Sequence, residues 1–299
     1  MNIAFKITIK KLFLLIIFIE LSVFSAFVFP SEAKNISQQP EQNEIIAPQS
    51  LFHIQTFEEN EQDENLIRML EEANTFKRIK KIIDSNFVLN VPIRFHIQHP
   101  KESKLIEAEF DQESHIVNLP FSFLHTLYQG LANKYEYQTE VISIIFSATV
   151  EYYIWSEFAE YLIKNKQLDV QGDTFAATDN LASIIMLNQN NLSSDYIADA
   201  SEAYLLIHST RSSTINQQAQ SELQLDQQRY KHIICLSIGF DQIIQTPDSE
   251  KLHLNSFSWD EKKIQQCKNS YRLIMKNWHQ AIKPSLQKNS VIHHWLNLL

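Results

Sequence analysis

The sequence predicts an α+β fold in which a helix and a small antiparallel sheet come first and a predominantly helical region follows. Three observations carry this. Between Gln62 and Asn86, Leu66, Met69, Leu70, Ala73, Phe76, Ile79 and Ile82 recur at spacings of three and four, the period of one buried helix face. From Phe87 to Gln98 the pattern alternates, with the β-formers Val88, Val91, Ile93, Phe95 and Ile97. After Pro120 the apolar spacing is helical almost to the end.

The elements follow in order. Lys6, Lys10 and Lys11 precede an apolar run from Leu12 to Phe29, and Ser31-Glu32-Ala33 puts small residues where a signal peptidase reads them. Residues 1–33 are therefore expected to be a signal peptide; an uncleaved membrane anchor is the alternative. Residues 34–60 are polar and rich in Gln, Asn, Pro and Glu, which reads as a flexible linker, and 61–299 as a single domain. The Gln62–Asn86 helix ends with Lys77, Arg78, Lys80 and Lys81, read as a solvated face near the negative end of its dipole.

The strand at Phe87–Gln98 carries Pro92, which suits a strand start or an edge. Ile106–Phe110 and Ser114–Leu119 follow as short strands with a turn at Asp111-Gln112-Glu113. Helices are expected at Phe121–Asn133, Gln138–Asn165, Thr174–Asn190, Ser194–Thr210, Glu222–Phe240 and Ser258–Trp278. Ser258 and Glu261 have the spacing of a capping box.

Composition excludes several classes of function. The chain has 3 glycines in 299 residues, too few and too scattered for a phosphate-cradling loop. A net charge of −9, with no basic cluster interleaved with aromatics, argues against nucleic acid as a partner. A membrane would be met only through residues 1–33, if these stay attached. Cys235 and Cys267 are the only cysteines. In an exported chain they would form a disulfide; two buried free thiols are the alternative.

Two helical stretches draw attention chemically. Val150–Leu162 and Asp173–Ala182 each carry acids inside an apolar pattern, and a carboxylate there is costly unless paired or hydrogen-bonded. Glu151 reads as a solvated residue or a local ion-pair partner. Glu157, Glu160 and Asp179 could cluster around a hard cation such as calcium or magnesium; satisfied structural acids are the plainer reading. His115, His125, His208, His232 and His279 are isolated, and His293-His294 are adjacent and so diverge on a helix. No serine has the glycine pair of a nucleophile elbow.

Over about Asn86–Pro284 the chain resembles a family of bacterial exported proteins described as metallopeptidases, with a zincin-like domain of the His-Glu-x-x-His type. The residues that carry the likeness are Phe110–Val117, the Trp155–Leu162 helix, Ala177–Ala182, Leu225–Tyr230 followed by Cys235 and Gly239, and Cys267 with Tyr271 and Trp278. In such a site two histidines four apart hold zinc, the glutamate between them is the general base, and a third ligand comes from the next helix.

Carried over position by position, the resemblance places Ser156 at the first ligand, Glu160 at the second and Phe175 at the third. It keeps Glu157 as a vestigial general base and Asp179 as the residue that would orient a ligand from behind. The implied protein is a periplasmic or secreted pseudopeptidase without zinc, or any other cofactor, that binds an unknown protein or peptide. The alternative is an active metal-dependent hydrolase with a non-standard ligand set.

Overall fold

The computed structural model describes residues 50–99, 108–168, 170, 174–189, 195–201, 206, 217–244 and 259–297. The expected signal segment, most of the expected linker and His208 lie outside the described residues. Strands are β1 (Phe52–Thr56), β2 (Ile93–Gln98), β3 (Glu109–Asp111) and β4 (Ile116–Pro120). Helices are α1 (Glu61–Glu72), α2 (Thr75–Asn86), α3 (Phe121–Lys134), α4 (Thr139–Lys166), α5 (Thr174–Asn188), α6 (Gln217–Ile244), α7 (Glu261–Ile282) and α8 (Val291–Asn297). Residues 195–201 are also helical.

The α+β class holds, with one correction. The sheet is mixed, in the order β1-β2-β4-β3. β1 pairs with β2 in parallel from Phe52↔Ile93 to Thr56↔Ile97, and β2 with β4 in parallel from Arg94↔Ile116 to Gln98↔Pro120. Only the β3–β4 hairpin is antiparallel, with Phe110 opposite Val117. The reason is connectivity. β1 was not expected as a strand, since it lies inside the stretch read as linker. Because α1 and α2 separate it from β2, the chain crosses over and returns in the same direction.

A second correction concerns the first helix. It is two helices, broken at Asn74, which has φ 56° in the left-handed region. Asparagine tolerates that conformation better than most residues, and the apolar spacing runs on across the break, so the pattern hides it. Arg78, on α2, is half-buried and not part of a solvated face. The start of α7 is also different: Asp260 is the cap, accepting from Lys263 N at 2.8 Å, and Ser258 lies outside the described residues.

The core forms where β2 meets the helices. Ile93, Phe95 and Ile97 point inward by strand alternation. α4 is buried along most of its length, from Ile142 to Leu162, including Tyr152, Trp155 and Phe158. Such extensive burial makes α4 the central helix, and an acid buried on it must find a partner inside the protein. The chain end is fastened to α2: Asn86 Oδ1 accepts from Ser290 Oγ and Val291 N, both at 2.9 Å.

α6 and α7 lie very close together. Cys235 on α6 and Cys267 on α7 form a disulfide with Cα atoms 5.0 Å apart. One turn on, a Cβ built on Gly239 would stand 2.5 Å from the Cys267 carbonyl oxygen and 2.8 Å from Tyr271 Cβ. Only a residue without a side chain lets the two backbones approach so closely.

Candidate functional site

α4 and α5 pack together, as the two acid-bearing helices were expected to, and α6 covers α5. Tyr152 on α4 donates its hydroxyl to the Asp179 carbonyl oxygen of α5 at 3.3 Å. The Asp179 carboxylate, 1% exposed, accepts two hydrogen bonds from Arg229 of α6, from Nε and Nη2, each at 2.8 Å. That forked geometry fits a planar guanidinium to a carboxylate. One turn along α6, His232 Nε2 lies 2.6 Å from Asn180 Oδ1. Burial pushes the Tyr152 phenol well above its ordinary pKa, and the nearby Asp179 charge adds to this, so the hydroxyl stays a donor.

On α4, Ser156 is buried, while Glu157 and Glu160 are half-buried. Glu160 pairs with Lys164 one turn along the same helix. Phe175 lies in the first turn of α5, with its side chain outside the described residues. The structure does not bring Glu157, Glu160 and Asp179 together as a cation site: Asp179 is turned to Arg229 and Glu160 to Lys164. Among the described residues, no group of three or more His, Cys, Asp and Glu side chains could hold a metal ion.

Glu151 is neither solvated nor locally paired. It is fully buried and binds Arg78 of α2, 73 residues away, through Nη2 at 2.5 Å and Nε at 3.2 Å. Tyr196 Oη donates to the same carboxylate oxygen at 3.3 Å, and Trp155 Nε1 to the other at 3.4 Å. Burial is the largest influence and alone would lower the Arg78 pKa; the Glu151 charge, its hydrogen bond and the Tyr196 hydroxyl together prevail and hold the guanidinium above its ordinary value.

A second cluster had no signal in the sequence. Asp63 of α1, fully buried, accepts from His99 Nε2 and His125 Nε2, both at 2.7 Å, and from Asn60 Nδ2 and Glu59 N at 2.9 and 3.0 Å. Burial opposes the charge on Asp63, but the hydrogen bonds from His99, the Glu59 backbone and His125 prevail, and its pKa lies below the usual carboxylate value. Asp63 is one of three acids in the first turn of α1, where acids are common, and nothing in the sequence sets it apart. Its two histidines come from the end of β2 and from α3, at separations of 36 and 62 residues.

The remaining histidines are scattered. His115 sits in the β3–β4 turn with φ 55°, and the His279 and His293 rings lie 6.4 Å apart. A cavity of about 370 Å³ is lined by Val170, Asn180, Ile274, Asn277, Trp278 and Gln280 between α5 and α7.

A family model described as "Putative metallopeptidase" matches residues 56–282, from the end of β1 to the end of α7. No curated protein and no solved structure matches the chain.

Proposed function

Because the chain belongs to the Putative metallopeptidase family, we propose that it is an exported member that has lost zinc catalysis and now binds a peptide or protein partner. One observation carries the reading: Glu160, the carboxylate at the second ligand position, is engaged by Lys164. The other two ligand positions hold Ser156 and Phe175. A hydroxyl is a poor zinc ligand, a phenyl ring is none, and the one carboxylate, which Lys164 already engages, cannot stand in for three ligands. Zinc peptidases need three protein ligands and an open position for water. This set does not fit zinc, and no catalytic step is assigned to it.

In this reading Glu157 has no metal-activated water to deprotonate. Asp179 and Arg229 fasten α5 to α6 and hold the old site in shape. Two features suit a peptide. β3 is the sheet's last strand, and among the described residues nothing pairs with its outer edge, so an extended segment could add there. The amides of Asn180 and Asn277 line the cavity beside α5, where they could meet peptide groups. Export is supported by the Cys235–Cys267 disulfide, which suits an oxidising compartment. Among the described residues, no helix is long and apolar enough to cross a membrane.

The test is proteolysis of an unfolded protein substrate with added zinc. The proposal expects no cleavage, and no difference between the wild type and Glu157→Gln. Cleavage that disappears in Glu157→Gln would overturn it in favour of a working hydrolase with another ligand set.

A further inference from the structure

A carboxylate that is ionised can only accept hydrogen bonds. Both imidazoles on Asp63 therefore carry their proton on Nε2, and a neutral ring keeps its lone pair on Nδ1. Among the described residues His125 makes no hydrogen bond through Nδ1, and the ring is about one-third exposed. This is how an acid prepares a histidine as a base: it fixes the tautomer and steadies the imidazolium that forms on proton uptake.

The two histidines differ in what they face. The His99 ring is stacked on Phe121, with centroids 5.0 Å apart. His125 lines a cavity of about 220 Å³ between α1 and α3, with Gln62, Asn65, Met69, Tyr128 and Gln129. Ligand pockets usually exceed about 300 Å³, so the occupant is small. The walls hold side-chain amides and an apolar floor of Leu66 and Met69, with no Asp, Glu, Lys or Arg among the lining residues. The ligand is therefore uncharged, with a carbonyl oxygen for the amide N–H groups and a short apolar tail.

We infer that Asp63, His125 and this cavity form a metal-independent site that hydrolyses small uncharged carboxylic esters. His125 Nδ1 takes a proton from water as the water oxygen bonds to the ester carbonyl carbon. The tetrahedral adduct then collapses, the bond from carbon to the alcohol oxygen breaks, and the imidazolium returns the proton to that oxygen. The products are a carboxylic acid and an alcohol. An ester is the fitting substrate because a single base suffices for an alcohol leaving group. An amide, with its more basic nitrogen, would need an additional acid or a metal.

The experiment is hydrolysis of 4-nitrophenyl acetate by the full chain, with a chelator present so that metal-dependent cleavage does not contribute. The rate should saturate with substrate. It should fall at least about tenfold in His125→Asn, and stay unchanged in His53→Asn, which alters an exposed imidazole on β1. Gln129→Trp fills the cavity without touching Asp63, and should remove saturation even if His125→Asn fails to fold. A rate linear in substrate, or one equal in wild type, His125→Asn and Gln129→Trp, would overturn the inference.

Discussion

Arg229→Leu should destabilise the protein severely, and the structure sets the size. The Asp179 carboxylate is 1% exposed, and the guanidinium that neutralises it is 18% exposed, bound through two 2.8 Å contacts. Replacing the arginine leaves a negative charge buried with its main partner gone. Breaking such a pair from one side costs about 3–5 kcal/mol. For a domain of this size that corresponds to a fall in melting temperature of roughly 6–20 °C. Asp179→Asn in the same background removes the charge while keeping the shape, so the double variant should recover part of the loss. Urea unfolding of the wild type, both single variants and the double variant, with the disulfide intact, gives the coupling directly. A loss below about 1 kcal/mol in Arg229→Leu, or a double variant less stable than the single one, would refute the claim that this pair fastens α5 to α6.

Three further outcomes are expected. Gly239→Ala puts a methyl group 2.5 Å from the Cys267 carbonyl oxygen, so α6 and α7 must separate; urea unfolding should show a loss of about 1–3 kcal/mol or more. Replacing Cys235 and Cys267 with alanine frees a loop spanning 32 residues in the unfolded chain and should cost about 3–4 kcal/mol, read by the same assay against the oxidised protein. Asp63 has a folded pKa below its ordinary 3.8, so its contribution to stability is present above that pH and is lost as pH falls through the folded value; Asp63→Asn should flatten the acid limb of a stability–pH curve.

The main elements were legible because their periods are strong. α4 shows itself by apolar residues all round, and β2 by the alternation of Ile93, Phe95 and Ile97. β1 was hidden: five residues, of which only Phe52 is fully buried, give too little pattern beside a polar stretch. The direction of pairing was also hidden, since a strand's own sequence does not say which neighbour it joins. Asn74 broke a helix whose apolar spacing continued unchanged.

At the candidate site, Asp179 and Glu151 could be singled out as acids in apolar helices, but their partners could not. Arg229 lies 50 residues from Asp179, and Arg78 lies 73 from Glu151. Only the fold brings such charges together. The requirement that a buried acid be paired was readable; the identity of the pair was not. For the same reason His125, read alone as isolated, became part of a cluster once Asp63 and His99 were placed around it.

The central claim is that the Ser156, Glu160 and Phe175 positions do not hold zinc. The most direct measurement is metal content: purify the chain without a metal-binding tag, incubate it with and without zinc, remove free metal, and count metal per chain by elemental mass spectrometry. The account predicts zinc near zero in both samples. About one tightly held zinc per chain, retained when His125 is replaced with asparagine and lost when Glu157 and Glu160 are replaced with glutamine, would contradict it.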